Sequence, residues 1–180
     1  MIRRSRRWAP AAAAVAAALV LTACGAGGRP DGGSGDGAAP SVGITETSVK
    51  VGGHFPLTGV AAPGYSEIPT GTKAYFDFVN AAGGVNGRKI DYVYRDDAYN
   101  PTQTSQVVNE LVLQDQVFAI LSGLGTPTHS AVLDYLNSEG VPDLFVSSGS
   151  LLWDQPDKNP QTFGWQPDYE IEGKIVGQYV

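Results

Sequence analysis

The sequence predicts an α/β fold: a parallel, doubly wound sheet with helices on both faces. Three observations carry this. Four apolar runs of strand length recur along the chain, at 49–55, 90–95, 117–121 and 144–147. Between them lie stretches whose apolar residues fall three and four apart, the period of a helix face. Two of those stretches open on a capping residue followed by proline, Asn100-Pro101 and Thr126-Pro127. Such pairs start helices because the cap side chain bonds a free N–H and proline has none to lose. Alternation at this spacing argues for right-handed βαβ crossovers.

The elements follow in order. The strand at 49–55 runs into a long loop, 56–69, with three prolines and two glycines. Residues 70–82 place Ala74, Tyr75, Phe78, Val79 and Ala82 on one helix face, and Gly83-Gly84 ends it. A turn at 85–88 leads into the second strand, with Ile90, Tyr92 and Tyr94 on one side. Asp96-Asp97-Ala98-Tyr99 is a loop, and Val107, Val108, Leu111 and Val112 mark the buried face of the next helix. After the third strand, Ser122–Gly125 form a glycine-rich turn, and one helix is expected from 127 to about 138. The turn 140–142 precedes the fourth strand. Residues 151–167 read as irregular, and 168–180 as helical again.

Residues 1–23 hold four arginines followed by an apolar run too short to span a bilayer but of the length of an export signal. Residues 25–42 are rich in Gly, Ala, Asp, Ser and Pro and have no apolar period. Such a tether has a root-mean-square reach of about 25 Å. Leu21-Thr22-Ala23-Cys24 closes the signal and resembles the bacterial lipobox, whose cysteine receives a diacylglycerol and becomes the mature N-terminus. Ser5-Arg6-Arg7 is similar to part of a twin-arginine signal, so either export route fits.

Charge and composition exclude several classes. The formal net charge is −6, and after residue 23 eight basic residues face eighteen acidic ones. Nucleic-acid binding needs a basic face. One cysteine allows neither an intrachain disulfide nor a thiolate zinc cluster. His54 and His129 have no third ligand spaced near them, so no metal is expected; His129 reads as a solvent-facing helix residue. Asp96-Asp97 reads as a loop brace, because neighbours on a strand end point to opposite sides. Gly123-Leu-Gly125-Thr-Pro-Thr128 departs from the dinucleotide fingerprint: threonine replaces the third glycine and no acid ends the following strand. No G-x-S-x-G elbow accompanies the serines at 147, 148 and 150. Neither a cofactor nor catalysis is expected. Trp153 and Trp165 read as packing residues.

The candidate site follows from the helix start. With Thr126 as cap, the turn aims backbone N–H groups beyond the third strand, a ready place for an anion. The loops 56–69, 96–99, 122–128 and 147–151 would surround it, since ligands bind beyond the carboxyl ends of such strands.

Several segments occur together in order: VKVGGHFPLTG, NAAGGVNGRKIDYVYRDDAYNPTQT, GLGTPTHSAVLDYLNSEGVP and SSGS. Behind a lipobox, this set resembles the solute-binding lipoproteins of bacterial ABC importers, the branched-chain amino acid (Leu/Ile/Val) type of periplasmic binding protein. The resemblance covers about 44–180. It implies a type I periplasmic-binding-protein fold, two α/β lobes closing on a small solute, with this chain holding the first lobe and the second essentially missing. The expected organisation is a lipoprotein signal (1–23), a lipidated Cys24 and linker (24–43), a first lobe (44–162), and a hinge crossing with the first helix of a truncated second lobe (163–180). It further implies an amino acid or amide as solute, permease and ATPase subunits as partners, and a place on the outer face of the cell membrane. By position it carries the ligand contacts to Gly125, Thr126 and Thr128, to Ser148 and Ser150, and to Tyr65 as an aromatic over the ligand side chain. A sensor ectodomain of the same fold is the alternative reading, and a dinucleotide-dependent enzyme a more distant one.

Overall fold

The computed structural model describes residues 41–180, so the expected signal and Cys24 fall outside the described residues. Five strands form one sheet: β1 (Ser48–Phe55), β2 (Lys89–Asp96), β3 (Ala119–Leu121), β4 (Asp143–Val146) and β5 (Thr162–Gly164). Every pairing is parallel and the order is β2-β1-β3-β4-β5. The order reverses at β1, so the crevice for a ligand opens beyond the ends of β1 and β3.

Helix α1 (Ile68–Ala81) follows β1, and α2 (Pro101–Asn109) follows β2. Asn100 caps α2 as its sequence promised, accepting from the N–H groups of Thr102 and Gln103. The last turn of α2 widens into a π-helical turn, Glu110–Gln114. Val108, Leu111 and Val112 from this segment join Val117, Ile120, Val132, Leu136 and Val141 in the main core. Val93 of β2 packs against that core, whereas its neighbour Tyr92 meets Phe76 of α1 edge-on at 5.4 Å. Adjacent strand residues point to opposite faces, so helices do cover both sides of the sheet. Asn80 fixes α1 to β2: its amide bonds the Ile90 carbonyl at 2.8 Å and accepts the Ile90 N–H at 2.7 Å.

Three expectations change. The helix expected over 127–138 is two pieces, α3 (Thr126–Ser130) and α4 (Leu133–Ser138). Its first turn is Thr-Pro-Thr-His-Ser, and the hydroxyls of Thr128 and Ser130 take carbonyls four residues back, which bends helices. The N–H groups of Ala131 and Val132 then close three-residue turns, and the helix restarts. Second, the irregular stretch contains a strand, β5, too short to show alternation. It pairs with β4 across a bulge at Phe145, whose φ is 59°. Third, the apolar face of α1 is open. Of its residues Pro69 alone is buried, while Tyr75 is 64% and Phe78 70% exposed.

After β4 comes a short 3-10 turn, Leu151–Trp153, and after β5 comes α5 (Tyr169–Gly177). Trp153 is buried with Leu133 and Val146, as its packing assignment requires; Trp165 is exposed. No described helix is long and apolar enough to cross a membrane.

Candidate functional site

The turn between β3 and α3 is built by backbone constraints. Ser122 and Gly125 both have positive φ, 55° and 100°. A Cβ at Gly125 would lie 2.5 Å from both the Thr128 hydroxyl and the Tyr99 ring, so only glycine fits. The turn is zipped to the end of β4: Leu124 bridges Ser147, and Ser147 donates its N–H to the Gly123 carbonyl at 3.0 Å.

The helix start differs from its sequence reading by one position. Gly125 is the cap and makes no side-chain capping bond, so Thr126 is the first helical residue. With five residues α3 carries little dipole, and the anion argument cannot rest on one. Freed from capping, the Thr126 hydroxyl instead meets the Ser148 hydroxyl at 2.6 Å. Ser148 is 2% exposed and also accepts the Ser150 N–H. Ser150 is half-buried, and its hydroxyl caps the 3-10 turn by accepting the Leu152 N–H at 3.3 Å.

Thr128 is the expected contact that the structure moves away. It is fully buried and its hydroxyl donates to the carbonyls of Leu124 and Gly125, so it braces the turn from below and presents no hydroxyl to the crevice. Tyr65 stands half-exposed in the loop after β1.

Two rim residues escaped sequence reading, Tyr99 and Tyr169. The Tyr99 ring covers Gly125. Burial, then the nearby phenols of Tyr169 and Tyr65 and the Asp97 carboxylate, push the Tyr99 hydroxyl above the ordinary tyrosine range. The Tyr169 ring lies on Gly149, where a Cβ would come within 2.8 Å of it, and its N–H bonds the Gly149 carbonyl at 2.8 Å. Hydrogen bonding from the Gly149 backbone N–H, then from Ser148, draws the Tyr169 phenol below its usual value, with a smaller contribution from Thr126; burial opposes them. Three phenols thus ring a polar floor of Thr126, Ser148 and Gly149.

Below the floor lies a chain of buried polar side chains. Asp97 Oδ2 meets His54 Nδ1 at 2.8 Å, His54 Nε2 meets His129 Nδ1 at 3.0 Å, and His129 Nε2 meets Asp143 Oδ2 at 2.7 Å. All four residues are fully buried. His129 is therefore no solvent-facing residue: it points inward because the His54 imidazole and the Asp143 carboxylate satisfy its two ring nitrogens. Asp97 also accepts the Tyr99 N–H, and Asp96 accepts from the Thr58 hydroxyl and the N–H groups of Leu57, Thr58 and Ala98. Those bonds outweigh partial burial and hold Asp96 below the ordinary carboxylate range. The acid pair braces loops, as its sequence position suggested. Among the described residues no cluster of three or more His, Cys, Asp or Glu could hold a metal.

Comparison with known proteins places this arrangement in a family. A family model described as "Periplasmic binding protein" matches residues 48–180, and the chain belongs to that family. Among its relatives, Leu/Ile/Val-binding protein homolog 2 of Brucella abortus is 38% identical over 149 residues, 77% of this chain and 37% of that protein. An amino acid binding protein of Pseudomonas aeruginosa is 40% identical over 140 residues, covering 73% of this chain and 35% of that protein. The solved structure of a fatty acid ABC transporter substrate-binding protein from Thermomonospora curvata superposes with a TM-score of 0.70 at 29% identity, covering 80% of this chain and 36% of that one. The chain thus spans a little over a third of each, and the fold is that of a type I periplasmic-binding-protein first lobe.

Proposed function

We propose that this chain supplies the first lobe of an extracytoplasmic solute-binding protein serving an ABC importer, and that its solute is a small carboxylate. A branched-chain amino acid or a close relative is the favoured solute. One observation carries the reading: the Thr126 and Ser148 hydroxyls meet at 2.6 Å beyond the ends of β3 and β4, beside the point where the sheet order reverses, with Gly149 next in the chain. Hydroxyl and backbone donors of this kind bind a carboxylate through charge-assisted hydrogen bonds. Relatives named for leucine, isoleucine and valine, and one named for fatty acids, share a carboxylate ligand while their side chains differ. The first lobe would therefore read the acid group. Tyr65 and Tyr99 would flank what is attached to it, and Ser150 would shape the loop carrying Ser148. Capture follows from closure of a second lobe, biased by contacts that exist only when closed. A lipid on Cys24 would hold the protein outside the membrane, within reach of permease and ATPase partners.

Isothermal calorimetry on the product of the whole reading frame tests this, with leucine, isoleucine, valine, a medium-chain fatty acid and leucinamide. Leucine should bind and leucinamide, which lacks the carboxylate, should not. Ser148→Ala should weaken leucine by roughly tenfold or more, as expected for losing a hydrogen bond to a charged group. Equal binding of leucine and leucinamide would refute the carboxylate assignment. Preference for the fatty acid over leucine would keep the floor and change the solute.

A further inference from the structure

The buried chain beneath the site has a proton count that geometry fixes. Its three bridges, Asp97–His54, His54–His129 and His129–Asp143, each need one proton between two heavy atoms at 2.7 to 3.0 Å. Two carboxylates and two imidazole rings holding three protons carry one net negative charge. Asp97 already accepts from the Tyr99 N–H and the Thr104 hydroxyl, so it is an acceptor towards His54 Nδ1. Burial, which outweighs the Asp97 hydrogen bond, keeps His54 from charging until below the ordinary imidazole range. His54 Nε2 then accepts from His129 Nδ1, and the third proton lies between His129 Nε2 and Asp143.

Among the described residues, Asp97 and Asp143 are the charged groups that act on the pair. Asp97 is the residue after β2, Asp143 comes from β4 and Thr104 from α2, while Thr162 of β5 bonds Asp143 Oδ2 at 3.1 Å. Trp153 meets the His129 ring edge-on at 5.0 Å. The turn that forms the binding floor sits directly on the two rings. A Cβ on Gly123 would lie 2.5 Å from His54 Nε2 and from His129 Nδ1. The same turn hangs from their backbones: Leu124 N–H bonds the His54 carbonyl, and His129 N–H bonds the Gly125 carbonyl.

We propose that the His54–His129 bridge is a positioning element for the 123–128 turn, and that uptake of a fourth proton breaks the bridge and loosens the turn. A proton on His54 Nε2 sets two N–H groups against each other, since both facing nitrogens then carry hydrogen. The competing acceptor is Asp143 Oδ1, which has no hydrogen-bond partner among the described residues. A proton there would leave the bridge intact but bury an O–H without an acceptor. An imidazole also takes a proton at higher pH than a carboxyl does. In mild acid the ring is therefore the receiver. Insofar as the carboxylate site rests on this turn, solute would be held near neutrality and released in acid.

The test needs no solute, which separates it from the functional reading. Histidine-labelled protein carrying the whole chain is followed by ring-nitrogen NMR and amide exchange between about pH 7.5 and 4.5, a span bracketing the ordinary imidazole value. Uptake of a proton by one ring should coincide with a roughly tenfold loss of protection, beyond the intrinsic pH effect, at the Leu124 and His129 amides. Amides of Tyr92 and Val93 in β2 should keep theirs. His54→Gln cannot take the proton and should flatten the pH profile of the turn. If that variant does not fold, the wild-type ring signals decide alone. Unchanged turn protection while the rings stay bridged would place the proton on Asp143 and overturn the proposal. A profile that persists in His54→Gln would overturn it as well.

Discussion

Helices cover the two faces of the sheet, yet α2 and the π-helical turn after it bury their apolar face while α1, the more apolar helix by sequence, leaves part of its own open. On one side, Val108, Leu111 and Val112 are buried to within 2% and interlock with Ile120, Leu136 and Val141. On the other, α1 places Tyr75 and Phe78 side by side, ring centroids 6.4 Å apart, in solvent. Both helices show the same three-four periodicity. Periodicity states which residues share a face, whereas what covers that face is decided by the rest of the fold.

Substitutions on the two sides should separate accordingly. Leu111→Ala removes a fully buried side chain and should cost about 2–5 kcal/mol, the range for such cavities, by urea unfolding. Gly123→Ala should cost about 1–3 kcal/mol by overpacking, since its new methyl meets ring nitrogens held on both sides rather than a flexible chain end. A cost near zero there would show that the imidazoles can part. Stability of the wild type should depend on pH through His54, whose charging is depressed by burial and only partly restored by Asp97. The unfolded state then binds the extra proton first, so stability is full above about pH 6.5 and falls as pH drops towards the folded value. His54→Gln should remove that component. Phe78→Ser should change stability by less than about 0.5 kcal/mol, as for exposed positions generally. A cost near that of Leu111→Ala would mean that α1 is covered in the intact protein.

Local signals served best where one residue decides the outcome. Asn100-Pro101 starts α2 where expected, and the alternation of Ile90, Tyr92 and Tyr94 marks β2. Thr126-Pro127 misled by one position because Gly125, free to take φ of 100°, caps the helix without a side chain. The Thr126–Ser148 pair needed that shift to exist, so the floor was legible in composition but not in detail. Tyr99 reaches the rim through two successive residues at positive φ, Ala98 at 47° and Tyr99 itself at 59°. Nothing in their side chains announces such a turn. The histidines were unreadable for another reason: 75 positions separate them, and only the sheet order brings them together. Gly123, wedged between them, is the one local trace of their contact.

Tyr169 gives the floor a chromophore. Its phenol draws on the Gly149 N–H, Ser148 and Thr126, and it ionises more readily for that reason. A solute that takes the same donors removes that help, so the near-ultraviolet band of the phenolate should emerge at higher pH when the floor is occupied. Difference absorbance on raising pH, with and without leucine and with Tyr169→Phe as the blank, reads this without any label. A binding loop that shares its donors with a built-in dye reports its own occupancy.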